Sequence, residues 1–591
     1  MTDNSHTTPC DSFLYSRISV PTVSVGGVLL GGTNPVATQS MTNTNTNNID
    51  ESVAQCMRIF DAGADMVRLT AQGVREAEAL KIIKEQLVRK GYSQPVIADI
   101  HFNPNAALVS ARYIERVRIN PGNYINSSKT EWTDEEYNRE LGAIRENLLP
   151  LIAECTKHNV AIRVGVNHGS LSKRIIARYG NTPEGMVESM MEFVKIFKED
   201  GFDAIVCSVK SSNTRTMIHA YRLLAQRMIQ ENCVYPLHIG VTEAGADEDG
   251  RIKSAVGIGT LLLDGIGDTI RVSLTEAPEK EIPVCREIVT FRNEVFSDYS
   301  PQPRMCNVAS DFVSYIKKLS HPICSVGGEF PPIVCSRDSD TSADWIISDT
   351  EWCSAHTAQS IPVYSVVEYS RLHDAGECVV VIHEHELSGF DAHILQKGAI
   401  IFFKTADKAV IHQVHELYEK LRTASYKPPV ILELQMNYQS RETIHIRSSI
   451  IAGGLCVDGF LDGLYIESEQ LSSHEAVDLS FSILQASRAR FSKTEFISCP
   501  SCGRTLFNIE DSLSKVKART AHLKGLKIAV MGCVVNGPGE MADADYGYIG
   551  AGAGKVNLYR KQELMHKGIP EDEAIEQLVQ LIREYGDWVE L

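Results

Sequence analysis

From residue 36 to residue 275 the chain alternates short β-branched runs with helix-length amphipathic stretches. The runs are Val36–Met41, Met66–Thr70, Val96–Phe102, Arg116–Asn120, Ala161–Asn167, Ala204–Lys210, Leu237–Thr242 and Thr269–Leu274. Between them lie segments such as Glu51–Ala62, Val74–Arg89 and Glu184–Lys198, whose apolar positions recur at helical spacing. Eight β-α units in about 240 residues predict an N-terminal (β/α)8 TIM barrel. A doubly wound sheet is the alternative. It is less favoured because eight is the closing number and no glycine-rich dinucleotide turn follows the first run.

After Pro278–Pro283 a helix-like stretch leads to a linker reading at Asp298–Pro303. Alternation then resumes in Val363–Val367, Cys378–His383, Ala399–Phe403, Pro429–Leu434 and Gly463–Ile466. One segment reads as an internal repeat: Gly259–Ser273 aligns without gaps on Gly453–Glu467, keeping Asp264 and Asp268 as Asp458 and Asp462. Arg271 and Ser273 become Tyr465 and Glu467, so the second copy loses its anion-binding groups. The last hundred residues carry strand runs Lys527–Met531, Tyr546–Gly550 and Val556–Tyr559 and an amphipathic helix over Glu571–Glu584. The expected organisation is a barrel over 1–290, an inserted barrel-like α/β domain of structural role over 291–490, and a small α/β module over 491–591. Gly550–Val556 lacks the spacing and hydroxyl of a P-loop and reads as a turn between strands.

Polar residues recur near the C-terminal ends of the barrel runs: Arg68; Asp99 with His101; Arg118 with Asn120; Arg163 with Asn167 and His168. The series continues with Lys210, with His238 and Glu243, and with Arg271 and Ser273. In a barrel these ends converge on the mouth where active sites sit. A salt-bridged strand end is the ordinary reading of any one of them. Five bases at the same place in five units point instead to a strongly anionic ligand, most simply a diphosphate. Glu243 is the exception in so cationic a mouth and is a candidate proton donor or base.

The C-terminal module holds Cys499-Pro-Ser-Cys502 and then Gly532-Cys533-Val-Val-Asn-Gly-Pro-Gly-Glu540. Three thiolates leave a fourth position to another donor, and Glu540 is the nearest. An iron–sulfur cluster with a carboxylate at one iron is one reading. A structural zinc completed by His522 is the other, and spacing leaves the two open.

Size and charge narrow the class. At 591 residues two to four domains are expected. A formal net charge of -17 argues against nucleic acid as a partner. A polar N-terminus without an apolar signal core, and no run long enough to span a bilayer, point to a cytoplasmic protein without membrane attachment. The fifteen cysteines, mostly in apolar stretches, suit a reducing compartment.

Together, Met66-Val-Arg68, Asp99-Ile-His101-Phe, Arg118-Ile-Asn-Pro-Gly-Asn123, Arg163-Val-Gly-Val-Asn-His-Gly-Ser-Leu171, Gly240-Val-Thr-Glu-Ala-Gly245 and Gly532–Glu540 resemble the 4-hydroxy-3-methylbut-2-enyl diphosphate synthase family in its long, three-domain form. The resemblance implies reductive ring opening of 2-C-methyl-D-erythritol 2,4-cyclodiphosphate in the non-mevalonate isoprenoid pathway. It implies a 4Fe–4S cluster on Cys499, Cys502, Cys533 and Glu540, fed by flavodoxin or ferredoxin. Arg68, Arg118, Arg163, Asn167, Lys210, Arg271, Ser273, His101 and His238 are then expected to bind substrate, and Glu243 to be the acid/base. The resemblance favours the cluster over zinc. In the shorter form the module caps a second subunit's barrel; here it could reach its own, so both monomer and homodimer are expected states.

Overall fold

The computed structural model describes all residues except 1–12, 15, 101–102, 125–128, 130, 300–301, 304–315, 407, 409, 504, 506, 535–536 and 591. His101 and part of the expected linker lie outside the described residues. The chain forms two compact units. One comprises Arg17–Ser254, Ile266–Val289 and Lys493–Leu591; the other comprises Met1–Ser16, Ala255–Gly265 and Thr290–Ser492.

The first unit is built on eight parallel strands: β1 (Ala37–Met41), β2 (Met66–Thr70), β3 (Val96–Asp99), β4 (Arg116–Ile119), β5 (Ala161–Asn167), β6 (Ile205–Lys210), β7 (His238–Ile239) and β8 (Thr269–Ile270). They pair in chain order, β8 returns to β1, and a bridge from Cys207 to Leu237 joins β6 to β7. The barrel is therefore the expected one. Both faces of these strands are covered, which is why they read as unbroken apolar runs rather than as alternation. A hairpin, Val23–Val25 with Val28–Leu30, packs Val23, Val25 and Leu30 against Met66, Ile97 and Val206. β7 and β8 are shorter than their sequence runs because regular pairing stops early. Single hydrogen bonds, Arg271 N–H to Ile239 and Thr242 N–H to Ser211, still carry both chains to the mouth.

The same unit contains a five-stranded sheet: β17 (Glu495–Ser498), β18 (Lys527–Met531), β19 (Tyr546–Gly552), β20 (Lys555–Arg560) and β21 (Glu563–Pro570). The helix Glu571–Glu584 covers it, burying Leu578, Leu581 and Ile582. Gly554, at φ +64°, turns β19 into β20, so the glycine-rich segment is a hairpin turn. A parallel bridge from Ala244 to Ser498 and a buried Lys253–Glu495 ion pair of 2.9 Å seat this module on the barrel of its own chain.

The other unit is a second closed barrel: β9 (Ile333–Ser336), β10 (Trp345–Ile347), β11 (Glu351–Ser354), β12 (Ser360–Ser365), β13 (Cys378–His383), β14 (Ala399–Thr405), β15 (Val430–Gln435) and β16 (Gly463–Glu467). Sequence periodicity finds only its last five strands. An antiparallel β10–β11–β12 meander replaces two β-α units and lacks the helices that would mark them. The expected strand over Val363–Val367 ends at Ser365 instead. There a Ser365/Glu368 capping box starts a helical turn over Val366–Tyr369.

The repeated segments occupy the same step in both barrels, the last strand and the end of the helix before it. Their helices touch reciprocally: Gly259 against Ile450, and Gly453 against Val256, positions that correspond in the repeat. This is the pattern of a two-fold self-contact within one chain.

Candidate active site

The barrel mouth and the thiol loops line one cavity of about 100 Å³. Its walls carry Arg68, Arg118, Arg163, Lys210 and Arg271 from the strands, with Asn167, Glu243 and Ser273 at their ends. Cys499, Cys502, Cys533 and Glu540 close it from the C-terminal module.

Strand geometry explains the convergence. In β5, Arg163, Gly165 and Asn167 alternate onto the inner face. Gly165 carries no side chain because the Arg118 guanidinium passes 2.6 Å from where a Cβ would lie. At Gly240 a Cβ would meet the Arg271 backbone carbonyl at 2.5 Å and Lys210 Nζ at 2.7 Å, so this glycine lets the neighbouring strand end approach as well as the cation.

Counter-charge is scarce. Arg271 is held by Glu281, at 3.0 and 3.1 Å. Asp99 serves Arg118 at 3.3 Å and Arg68 at 3.9 Å. Arg68 otherwise donates to the sulfur of Met41. Arg163, 1% exposed, donates to Ser208 at 2.7 Å, and its Nε has no partner. Burial, then the neighbouring Arg163 and Arg68, push Lys210 well below its ordinary range. Burial and the adjoining guanidiniums do the same to Arg163, and bring Arg68 down to about 10. Burial also opposes charge on Arg271, yet Glu281 holds it above its usual value. So concentrated a positive field is relieved by a polyanion.

Glu243 follows β7 in a left-handed backbone conformation, φ +47°, unusual for a non-glycine residue. Its Oε2 has no hydrogen-bond partner of good geometry among the described residues, and its exposure is intermediate because it lines the cavity. Burial, then the facing Glu540 carboxylate, raise it well above the usual carboxyl range, against the pull of Lys210. Its surroundings thus favour the protonated carboxyl over the carboxylate. Glu540 is buried and accepts a 2.6 Å hydrogen bond from Asn167 Nδ2.

Cys499, Cys502, Cys533 and Glu540 all line the cavity, and three thiols with one carboxylate are a donor set that an iron–sulfur cluster can use. The Gly532 N–H donates to Cys499 Sγ at 3.3 Å, a contact typical of sulfur ligands to iron. Burial pushes the Cys499 thiol up to about 12, so a bound cation is what would strip its proton. His522, the zinc alternative, bonds the Val589 carbonyl beside Trp588 and does not line the cavity.

Of the three candidate histidines, the two that are described, His168 and His238, also lie off the cavity wall. His238 is fully buried inside the barrel against Gln39, and burial followed by Lys210 keeps it well below its usual range, hence neutral. His168 is bonded to the Asn181 carbonyl. Sequence reasoning missed Glu281, Met41 and Arg116. Arg116, 0% exposed, bonds Gln39 at 2.7 Å beneath the mouth, and burial followed by Arg68 lowers it to about 9. Its two-residue spacing from Arg118 was the available signal.

A family model described as the GcpE TIM-barrel domain matches residues 20–286, and one described as the GcpE protein C-terminal domain matches 495–584. A Parabacteroides distasonis protein named 4-hydroxy-3-methylbut-2-en-1-yl diphosphate synthase (flavodoxin) is 44% identical, covering 98% of this chain and 99% of its own length. Porphyromonas gingivalis has a protein of the same name at 43%, over 98% and 100%. One from Chlorobaculum tepidum is 37% identical, over 98% and 91%. With both family models in place around one cavity and relatives matching it nearly end to end, the chain belongs to the GcpE family of 4-hydroxy-3-methylbut-2-en-1-yl diphosphate synthases.

Proposed function

We propose that this chain is an iron–sulfur oxidoreductase of the non-mevalonate isoprenoid pathway. It opens the ring of 2-C-methyl-D-erythritol 2,4-cyclodiphosphate and removes a hydroxyl as water, giving (E)-4-hydroxy-3-methylbut-2-enyl diphosphate. The observation that carries this reading is the cavity in which five basic side chains face three thiols and a carboxyl group whose surroundings favour its protonated form. An anion-binding module would not need the thiols, and a structural metal would not need the cations.

Arg68, Arg118, Arg163, Lys210, Arg271 and Ser273 bind and orient the diphosphate, whose charge replaces the missing counter-ions. Cys499, Cys502, Cys533 and Glu540 would hold a 4Fe–4S cluster. When bound, it supplies the two electrons of the reduction one at a time. Glu243, in its protonated form, donates a proton to the departing hydroxyl. Asn167 binds Glu540 and so orients the module's carboxylate toward the mouth. Within this reading residues 1–290 form the substrate barrel, 291–490 a structural domain and 491–591 the cluster module. The protein works in the cytoplasm as a monomer or homodimer, with the module of one chain closing that chain's own cavity. Flavodoxin is the electron donor, in keeping with its relatives' names.

Anaerobic reconstitution with iron and sulfide, followed by incubation with the cyclic diphosphate and reduced flavodoxin, tests the reading. The open-chain diphosphate is expected as product. A cluster-replete chain that leaves the substrate intact would overturn it.

A further inference from the structure

Two backbones meet at the edge of the cavity with no side chain between them. The turn His168–Ser170 follows β5, and the short helical turn Gly537–Glu540 follows the Cys533 loop. A Cβ on Gly169 would fall well inside van der Waals contact with the Gly539 carbonyl, and a Cβ on Gly539 would do the same to the Gly169 carbonyl. Neither glycine adopts a left-handed φ, so the requirement is for room rather than for a special backbone conformation. The same turn is also approached closely by Gly122, where a Cβ would strike the Ser170 carbonyl. Two residues before Gly169 and one after Gly539, Asn167 Nδ2 donates to Glu540 Oε1 at 2.6 Å. Asn167 with Gly169 on one side, and Gly539 with Glu540 on the other, therefore make one seam.

We propose that Gly169 and Gly539 are positioning residues: their bare backbones set the distance between barrel and module and so seat Glu540 at the substrate mouth. The proposal rests on the reading of Glu540 as a cluster ligand facing bound substrate. A methyl group on either glycine forces the same separation, because each would strike the other's carbonyl. The two substitutions are consequently not independent. Once one has opened the seam, the second has nothing left to push apart.

Full-length Gly169→Ala, Gly539→Ala and the double variant test this, with Gly142→Ala as control because its Cβ would meet open space. Iron and sulfide content should match the parent in all four, since the thiols are untouched. Each single variant should lose roughly 10²-fold in kcat/KM, the scale of an ångström's misplacement of a reacting group. The double variant should fall no more than about threefold further. Losses that multiply, or single variants within about threefold of the parent, would overturn the seam.

A second measurement stands apart from activity and from metal. In the unsubstituted, cluster-free chain, hydrogen exchange over 167–171 and 537–541 should lose protection together in mild denaturant. Independent exchange of the two segments would overturn the proposal even if the substituted chains fail to fold. A parent chain that takes up no iron but keeps the shared exchange would refute the role of Glu540 and leave the seam standing.

Discussion

Arg163 shows what the mouth costs the free protein. It is buried among Arg68, Arg118 and Lys210 without a carboxylate of its own. Arg163→Met should raise KM roughly tenfold or more, because a charge-assisted bond to phosphate is worth about 1.5–3 kcal/mol. It should also leave the thermal midpoint of the substrate-free protein unchanged or higher, since a repelling charge is gone. A lower midpoint would mean the guanidinium is structural. Arg271→Met would not separate the two effects, because it strands Glu281, 1% exposed, without its partner. That pairing could not be read from sequence, where Glu281 is one acid at the start of an ordinary helix. The bases themselves were legible because strand-end position and residue type both follow from the chain.

The pH dependence has a definite sign. The folded Lys210 binds its proton less tightly than the unfolded chain does. The unfolded state therefore takes up more protons between the depressed value and the ordinary lysine range, and stability rises with pH through that window. Substrate affinity should run the opposite way, weakening as Lys210 loses its charge. Lys210→Met should flatten both trends, as measured by chemical denaturation and calorimetry across pH; a variant that keeps both trends would assign them elsewhere. Glu243→Gln keeps shape but cannot release a proton. It should retain substrate binding while kcat falls by about 10²–10⁴-fold. A kcat within about threefold of the parent would reduce Glu243 to a counter-charge.

At the scale of elements, the barrel reads well where one strand is followed by one helix, and poorly where that grammar breaks. β10 to β12 form a meander of short strands, and polar positions such as Glu351 and Ser360 on exposed edges blur their periodicity. The two barrels also differ at equivalent places: Tyr465 stands where the first has Arg271. Tyr465→Phe should leave kcat and KM unchanged, and a large kinetic effect would end the view that the second barrel has no chemical role. The contribution proposed for it is packing. Gly453→Ala would press a methyl group against the branched Val256 side chain and should cost about 1–3 kcal/mol in urea unfolding, as overpacking does. No loss would show that the reciprocal contact is loose.

For the whole molecule, the central claim is that substrate mouth and thiol cradle are one site, completed within one chain. Sequence could place the two halves but not their meeting, because residues separated by hundreds of positions, such as Asn167 and Glu540, join only through the fold. The most direct test is the paramagnetic resonance spectrum of the reconstituted, one-electron-reduced protein before and after saturation with the cyclic diphosphate. If cations and cluster share the cavity, the bound substrate should shift the spectrum, and Arg163→Met should require a higher concentration for the same shift. A spectrum unchanged at a substrate concentration that calorimetry shows to be saturating would contradict the account.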